Sequence, residues 1–233
     1  MSIYAISDLH LSFGANKPMD IFGANWENHS EKIKNDWAEK VNENDLVLLP
    51  GDFSWAMYLK DTHLDFDYLS GLPGKKLMLK GNHDYWWSTV GSMRKYLEEN
   101  NFKNIDFLYN NSYEFENKII CGTRGWASTD TEENRKMLKR ERNRLKISLE
   151  DGIKKYGVEK EIIVCMHYPP FNNIGDAESN FIDLMKEYNV KKCIYGHLHG
   201  EAHKDAIEGT IDGIEYKLVS CDYTGFKLCN IEM

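Results

Sequence analysis

Lys76-Leu77-Met78-Leu79-Lys80-Gly81-Asn82-His83-Asp84 opens as a short apolar strand and ends, one glycine on, in an amide, an imidazole and a carboxylate. The same construction recurs on both sides. Upstream, Ile3–Ser7 runs into Asp8-Leu9-His10, and Leu46–Leu49 into Pro50-Gly51-Asp52. Downstream, Ile162–Met166 meets His167-Tyr168-Pro169-Pro170, and Lys192–Tyr195 meets Gly196-His197-Leu198-His199. Five strand-length runs thus deliver Asp, His or Asn at their carboxyl ends, and they use five of the eight histidines. Strand ends gather along one edge of an α/β sheet, where ligands bind, so these groups are expected to converge in space.

Further strand-like runs lie at Ile119–Cys121 and Tyr216–Ser220. Between many of the runs are longer polar-amphipathic stretches that read as helices over Ser30–Val41, Ser88–Asn100, Glu132–Tyr156 and Ala177–Tyr188. In the first, Ile33, Trp37 and Val41 fall at helical spacing with charges between them. Strands alternating with helices predict a layered α/β fold with much parallel pairing. The hairpin-like runs Thr210–Ser220 and Gly225–Ile231 suggest antiparallel additions. No repeat or linker is evident, so one domain over residues 1–233 is expected.

Each motif alone is weak, because Asp-x-His and Gly-Asp turn up by chance and a lone histidine after a strand is more often packing than a ligand. Together they are specific. Burying acids and imidazoles side by side without a cation is costly, and a metal removes that cost. Two metals account for the number of ligands.

The order Asp8-x-His10, Gly51-Asp52, Gly81-Asn82-His83-Asp84, His167, Gly196-His197-x-His199 resembles that of the calcineurin-like metallophosphoesterase superfamily. The phrases Gly51–Met57, Gly81–Trp87, Arg124-Gly125-Trp126 and Val219–Tyr223 resemble a bacterial branch of predicted phosphohydrolases. The resemblance implies two mixed β-sheets packed face to face with helices outside, a four-layer α/β/β/α sandwich. It implies that Asp8, His10 and His199 hold one metal and Asn82, His167 and His197 the other, with Asp52 bridging. A hydroxide between the two ions would then attack phosphorus, with His83 as general acid or phosphate stabiliser and Asp84 orienting its imidazole. The N/O ligand set suits Mn, Fe, Zn, Co or Ni and not Ca, and the resemblance favours Mn. The implied activity is hydrolysis of a phosphodiester or phosphomonoester. A nuclease or protein phosphatase on the same centre, or a non-catalytic scaffold, are the alternatives; the presence of every ligand and of His83 favours the enzyme.

The totals narrow the partner. Net charge is −8, which argues against extended nucleic-acid binding and for a small phosphorylated substrate. No run approaches the ~20 apolar residues of a membrane span. Met1–Ser7 lacks the basic and apolar regions of a signal peptide, and the five scattered cysteines form no C-x-x-C pair; a cytoplasmic protein with reduced thiols is expected. Five of six arginines fall within residues 124–146, a window of net +4. Arginine is the better bidentate phosphate ligand, so Arg124, Arg140 and Arg144 are candidates for gripping a second anionic group. Trp55, Tyr58, Tyr85, Trp86 and Trp87 flank the motifs and could stack on a planar group, although helix packing is the commoner role.

Overall fold

The structure is a computed structural model that describes residues 1–127, 130–171 and 180–232. It contains two mixed sheets. In the first, β1 (Ile3–Ala5), β2 (Leu46–Leu49), β3 (Lys75–Met78) and β4 (Ile105–Phe107) run parallel, and β11 (Cys229–Asn230) pairs antiparallel with β1. In the second, β6 (Lys118–Thr123), β7 (Glu161–Met166), β8 (Lys192–Tyr195) and β10 (Ile214–Leu218) are parallel. There β5 (Tyr113–Phe115) and β9 (Gly209–Ile211) close the two edges antiparallel.

The period-two alternation of strand side chains explains why such short runs are apolar throughout. Along β2, Leu46 and Leu48 join a core with Ile3, Ala5, Leu77, Ile163, Cys165 and Ile194, which is the interface between the sheets. Val47 and Leu49 point the other way, into a core shared with Ile33 and Trp37 of α1 (His29–Lys40), Phe66 and Leu69 of α2 (His63–Ser70) and Met93 and Leu97 of α3 (Val90–Glu99). The outer face of the second sheet is covered by Leu138, Leu145 and Leu149 of α4 (Glu132–Tyr156) and Phe181 and Leu184 of α5 (Phe181–Glu187). The result is the expected α/β/β/α order of layers.

Helix boundaries follow local chemistry. Thr89 and Thr131 accept hydrogen bonds from the backbone nitrogens of Ser92 and Asn134, capping α3 and α4. Asn180 caps α5 by accepting from Ile182 and Asp183. That cap starts the helix later than the expected Ala177, and residues 177–179 lie outside the described residues. All five cysteines are free thiols, four of them buried. No described helix is long and apolar enough to cross a membrane.

The two sheets are also joined at one seam beyond their strand ends. Ser7 donates its backbone N–H to Val219, and Cys221 donates to Ser7, so the chain leaving β1 lies against the chain leaving β10. The carboxyl ends of both sheets open on this seam.

Candidate metal centre

At each strand end the chain must turn sharply to present its side chain inward. Asp8, His10, Asp52 and His197 take left-handed backbones, with φ of 60°, 47°, 53° and 74°. Left-handed non-glycine residues are held only where the surroundings over-determine them, and they cluster at functional sites. The loops are also closely nested. A Cβ at Gly81 would run into the Asp52 carboxylate and backbone nitrogen, so only glycine lets these two loops touch.

The expected ligands converge. Asp8, His10 and His199 offer ligand atoms within 4.8 Å of one another, and so do Asp8, Asp52 and His167. His10 and His199 face each other with Nε2 atoms 3.4 Å apart. Asn82 Oδ1 lies 2.6 Å from His167 Nε2, and the His197 ring sits 5.1 Å from that of His167. Asp52 Oδ2 stands between the groups, 3.8 Å from His10 Nε2 and 3.6 Å from His167 Nε2.

Each carboxylate has one oxygen tied back and one left for the site. Asp8 Oδ2 accepts from the Ser7 and Ser220 hydroxyls and the His197 backbone N–H, while Oδ1 faces His199 Nε2 at 3.3 Å. Asp52 Oδ1 accepts the His83 N–H at 2.8 Å, leaving Oδ2 free. His199 Nδ1 lies 2.8 Å from Asp222 Oδ1, which fixes the ring and turns Nε2 towards Asp8. Asp222 Oδ2 in turn accepts from the Gly200 N–H and stands 3.2 Å from His203 Nε2.

The electrostatics are those of a cluster short of positive charge. Burial, then the nearby Asp8 and Asp84 charges, push Asp52 above the ordinary carboxylate range. Burial also works against ionised Asp8, but the His199 hydrogen bond and the surrounding imidazoles overcome it and hold Asp8 low. His167 is driven by burial down to about 3, and His10 well below its ordinary value. His199 is the exception, since its bonds to Asp222 and Asp8 outweigh burial and raise it. Neutral imidazoles beside buried carboxylate and amide oxygens are a donor set that fits divalent ions of the Mn-to-Zn series.

Asp84 departs from expectation. It does not touch the His83 ring. Its Oδ2 accepts from the Asp52 and Gly81 backbones, and its Oδ1 from the Phe53 and Ser54 backbones and the Trp86 indole. In so tight a loop neighbouring side chains diverge, and the buried Asp84 binds the Asp52 loop to the Asn82 loop. The His83 imidazole is half-buried instead against Trp55, ring centroids 4.6 Å apart, with the Tyr85 hydroxyl 3.4 Å from Nδ1. Burial, and then Lys17 beside it, lower its pKa.

The arginines divide. The Arg124 carbonyl accepts from the backbone of His167, 3.2 Å, tying it to the centre. The side chains of Arg124 and Arg144 turn to the buried carboxylate of Glu141, and Arg144 also reaches the Tyr109 hydroxyl. With Lys80 they line a cavity of about 20 Å³, room for one water. Arg140 lies on the exposed face of α4. Trp86 is buried and Trp87 packs on Phe107, whereas Trp55 faces an open cavity beside His10 and His83.

Ser7, Ser220 and Asp222 escaped the reading of the sequence. For Asp222 a signal was present: Tyr216–Ser220 is the seventh strand run, and it too is followed by an acid, within the phrase Val219–Tyr223. Asp222→Ala is expected to weaken metal binding by roughly 10- to 100-fold by freeing the His199 ring, measured by titration calorimetry. An unchanged affinity would remove Asp222 from the site.

A family model described as calcineurin-like phosphoesterase matches residues 1–201. A protein of unknown function from Aquifex aeolicus is similar at 19% identity and a TM-score of 0.53, over 99% of this chain and 96% of that one. A phosphopantetheinyl hydrolase from Mycobacterium tuberculosis is similar at 14% identity and 0.54, over 99% and 95%. A Thermus thermophilus protein is similar at 13% identity and 0.58, over 98% and 96%. These structural likenesses speak to the fold. A search of the curated proteins finds no match.

Proposed function

The chain belongs to the calcineurin-like phosphoesterase family, a family of divalent-metal phosphoesterases, and on that premise we propose that it hydrolyses a phosphodiester or phosphomonoester at a two-metal centre. One observation carries the two-metal reading. Ligand atoms of Asp8, His10 and His199 form one group and those of Asp8, Asp52 and His167 a second, and Asp52 Oδ2 reaches both His10, at 3.8 Å, and His167, at 3.6 Å. Asp8, His10 and His199 would hold one ion, and Asn82, His167 and His197 the other, with Asp52 shared. When bound, such ions activate a water and neutralise the phosphoryl oxygens. Mn is the first expectation, with Fe, Zn, Co and Ni as the others.

The chain's own residues do the rest. His83 borders the cavity and gives a proton to the leaving oxygen or stabilises charge on the phosphoryl group. The hydrogen bond from its backbone to Asp52 keeps that imidazole at a fixed reach from the ligands. Asp84 locks the two loops, and Asp222 holds His199. Five free thiols in no pair support a cytoplasmic setting. Arg144, hydrogen-bonded to Glu141, and Arg124, 3.9 Å from it, would meet a second anion in competition with that carboxylate.

The test is metal-stripped protein reconstituted separately with Mn, Mg, Zn, Fe, Co and Ni, assayed on bis-p-nitrophenyl phosphate and p-nitrophenyl phosphate. Metal-dependent turnover is expected, and His83→Ala should lose roughly 10²- to 10⁴-fold in kcat while keeping its metal content. A His83→Ala protein as active as the parent would end the assignment of His83. No turnover with two ions bound per chain would leave a very selective enzyme or a scaffold.

A further inference from the structure

Beside the ligands lies a cavity of about 560 Å³, far more than a phosphoryl group fills and within the usual range for small-molecule sites. His10, His83 and His199 line its catalytic side. The rest of its wall comes mainly from one segment, residues 12–28, which links β1 to α1 outside both sheets and contributes Lys17, Met19, Phe22, Asn25 and Trp26. That segment folds into two short 3-10 turns, Met19–Phe22 and Ala24–Trp26. Met19 and Trp26 are anchored by burial, Met19 with its sulfur 3.0 Å from the Trp55 indole nitrogen. Phe22 is left 56% exposed at the rim. Trp55 stacks on His10, centroids 4.8 Å apart and planes 19° off parallel, and carries the Lys17 ammonium on its ring.

Hydrolysis at the ligands and His83 needs none of this wall. An apolar face beside a charged centre is costly to leave wet, and it lies where the alcohol portion of a bound ester would extend from the phosphoryl group. A polyol would gain little from the exposed Phe22 ring and the apolar edges of Met19, Trp26 and Trp55 around it, whereas a flat ring buries a face against them. Lys17 adds a cation to the same wall, over the Trp55 ring and beside His83. We propose that this cavity is the subsite for the alcohol portion of the substrate, selecting phosphoesters of flat, apolar-faced alcohols of nucleoside size, with Lys17 pairing to a further negative charge on them. The proposal rests on the phosphoesterase reading.

Adenosine 5′-monophosphate and ribose 5-phosphate carry the same phosphorylated carbon and differ in the base, so their difference reads the wall alone. Calorimetric titration of the full-length, Mn-loaded protein is expected to show the adenosine compound bound at least tenfold more tightly, in line with ring stacking. Phe22→Ala should reduce that ratio at least fivefold. Lys17→Ala should erase any gain of adenosine 3′,5′-bisphosphate over the monophosphate. Equal affinities for the base-bearing and base-free compounds, or a ratio untouched in Phe22→Ala, would overturn the subsite. Turnover of the p-nitrophenyl esters, measured on the same preparations, judges the phosphoesterase reading separately. Turnover without a binding preference would overturn the subsite alone; a preference without turnover of any ester would sink the phosphoesterase reading and, with it, the assignment of the cavity to a substrate.

Discussion

Asp52→Asn is expected to lower metal-dependent kcat by roughly 10³-fold or more, about 4 kcal/mol in the barrier. The two oxygens of Asp52 have opposite duties: Oδ1 takes the His83 N–H, and Oδ2 faces both ligand groups. An amide cannot serve both. With its nitrogen towards the site it offers a donor where a cation needs an acceptor. With its nitrogen turned back it confronts the His83 N–H. The substitution is isosteric and replaces a buried carboxyl whose ionisation burial and the Asp8 and Asp84 charges already oppose, so the metal-free protein should melt no lower than the parent. Loss of activity and of metal content, without loss of thermal stability, is the outcome that assigns Asp52 to the site. Turnover close to the parent level would remove it.

Asp84→Ala is expected to act through the scaffold. It strips the acceptor from five donors at once: the backbone N–H groups of Asp52, Phe53, Ser54 and Gly81, and the Trp86 indole. Leaving one buried donor unsatisfied costs about 1–3 kcal/mol, so even after relaxation the loss should reach about 4 kcal/mol. In a chain of this size that lowers Tm by about 8–16 °C. Asp84→Asn should fall between, since an amide keeps one accepting oxygen. Differential scanning calorimetry decides it. A Tm within about 2 °C of the parent for the alanine variant would mean that the loops hold themselves.

These two aspartates mark how far the sequence could be read. Strand ends were legible because an apolar run that stops at a polar ligand type needs no three-dimensional information, and the α4 boundaries were legible because Thr131 caps one end and Gly157 follows the other. The direction of a side chain within a loop was not. Asp84 adjoins His83 in sequence yet turns to the backbone, because the Gly81 approach brings four N–H groups within its reach. Helix α2 was missed for a related reason: Asp65 is buried in it, bound to the Ser54 hydroxyl and the Phe13 N–H, and so breaks the apolar stripe. The cavity wall at residues 12–28 has no periodicity at all, since its two turns are held by Trp26 and Met19 packing beneath them.

The seam between the sheets also governs when the protein becomes competent during folding. His10 and His199 nearly touch, yet 189 positions separate them along the chain. The first half of the sequence supplies Asp8, His10, Asp52 and Asn82, and the second half supplies His167, His197 and His199. Closing so long a loop carries an entropic cost that only the docked sheets repay, so contacts of this kind form late. Neither half can assemble the ligand set by itself, because His167, His197 and His199 come from the second sheet. If these residues hold the metal, competence to bind it would be acquired only once the two sheets have docked, and metal uptake would report that folding is complete.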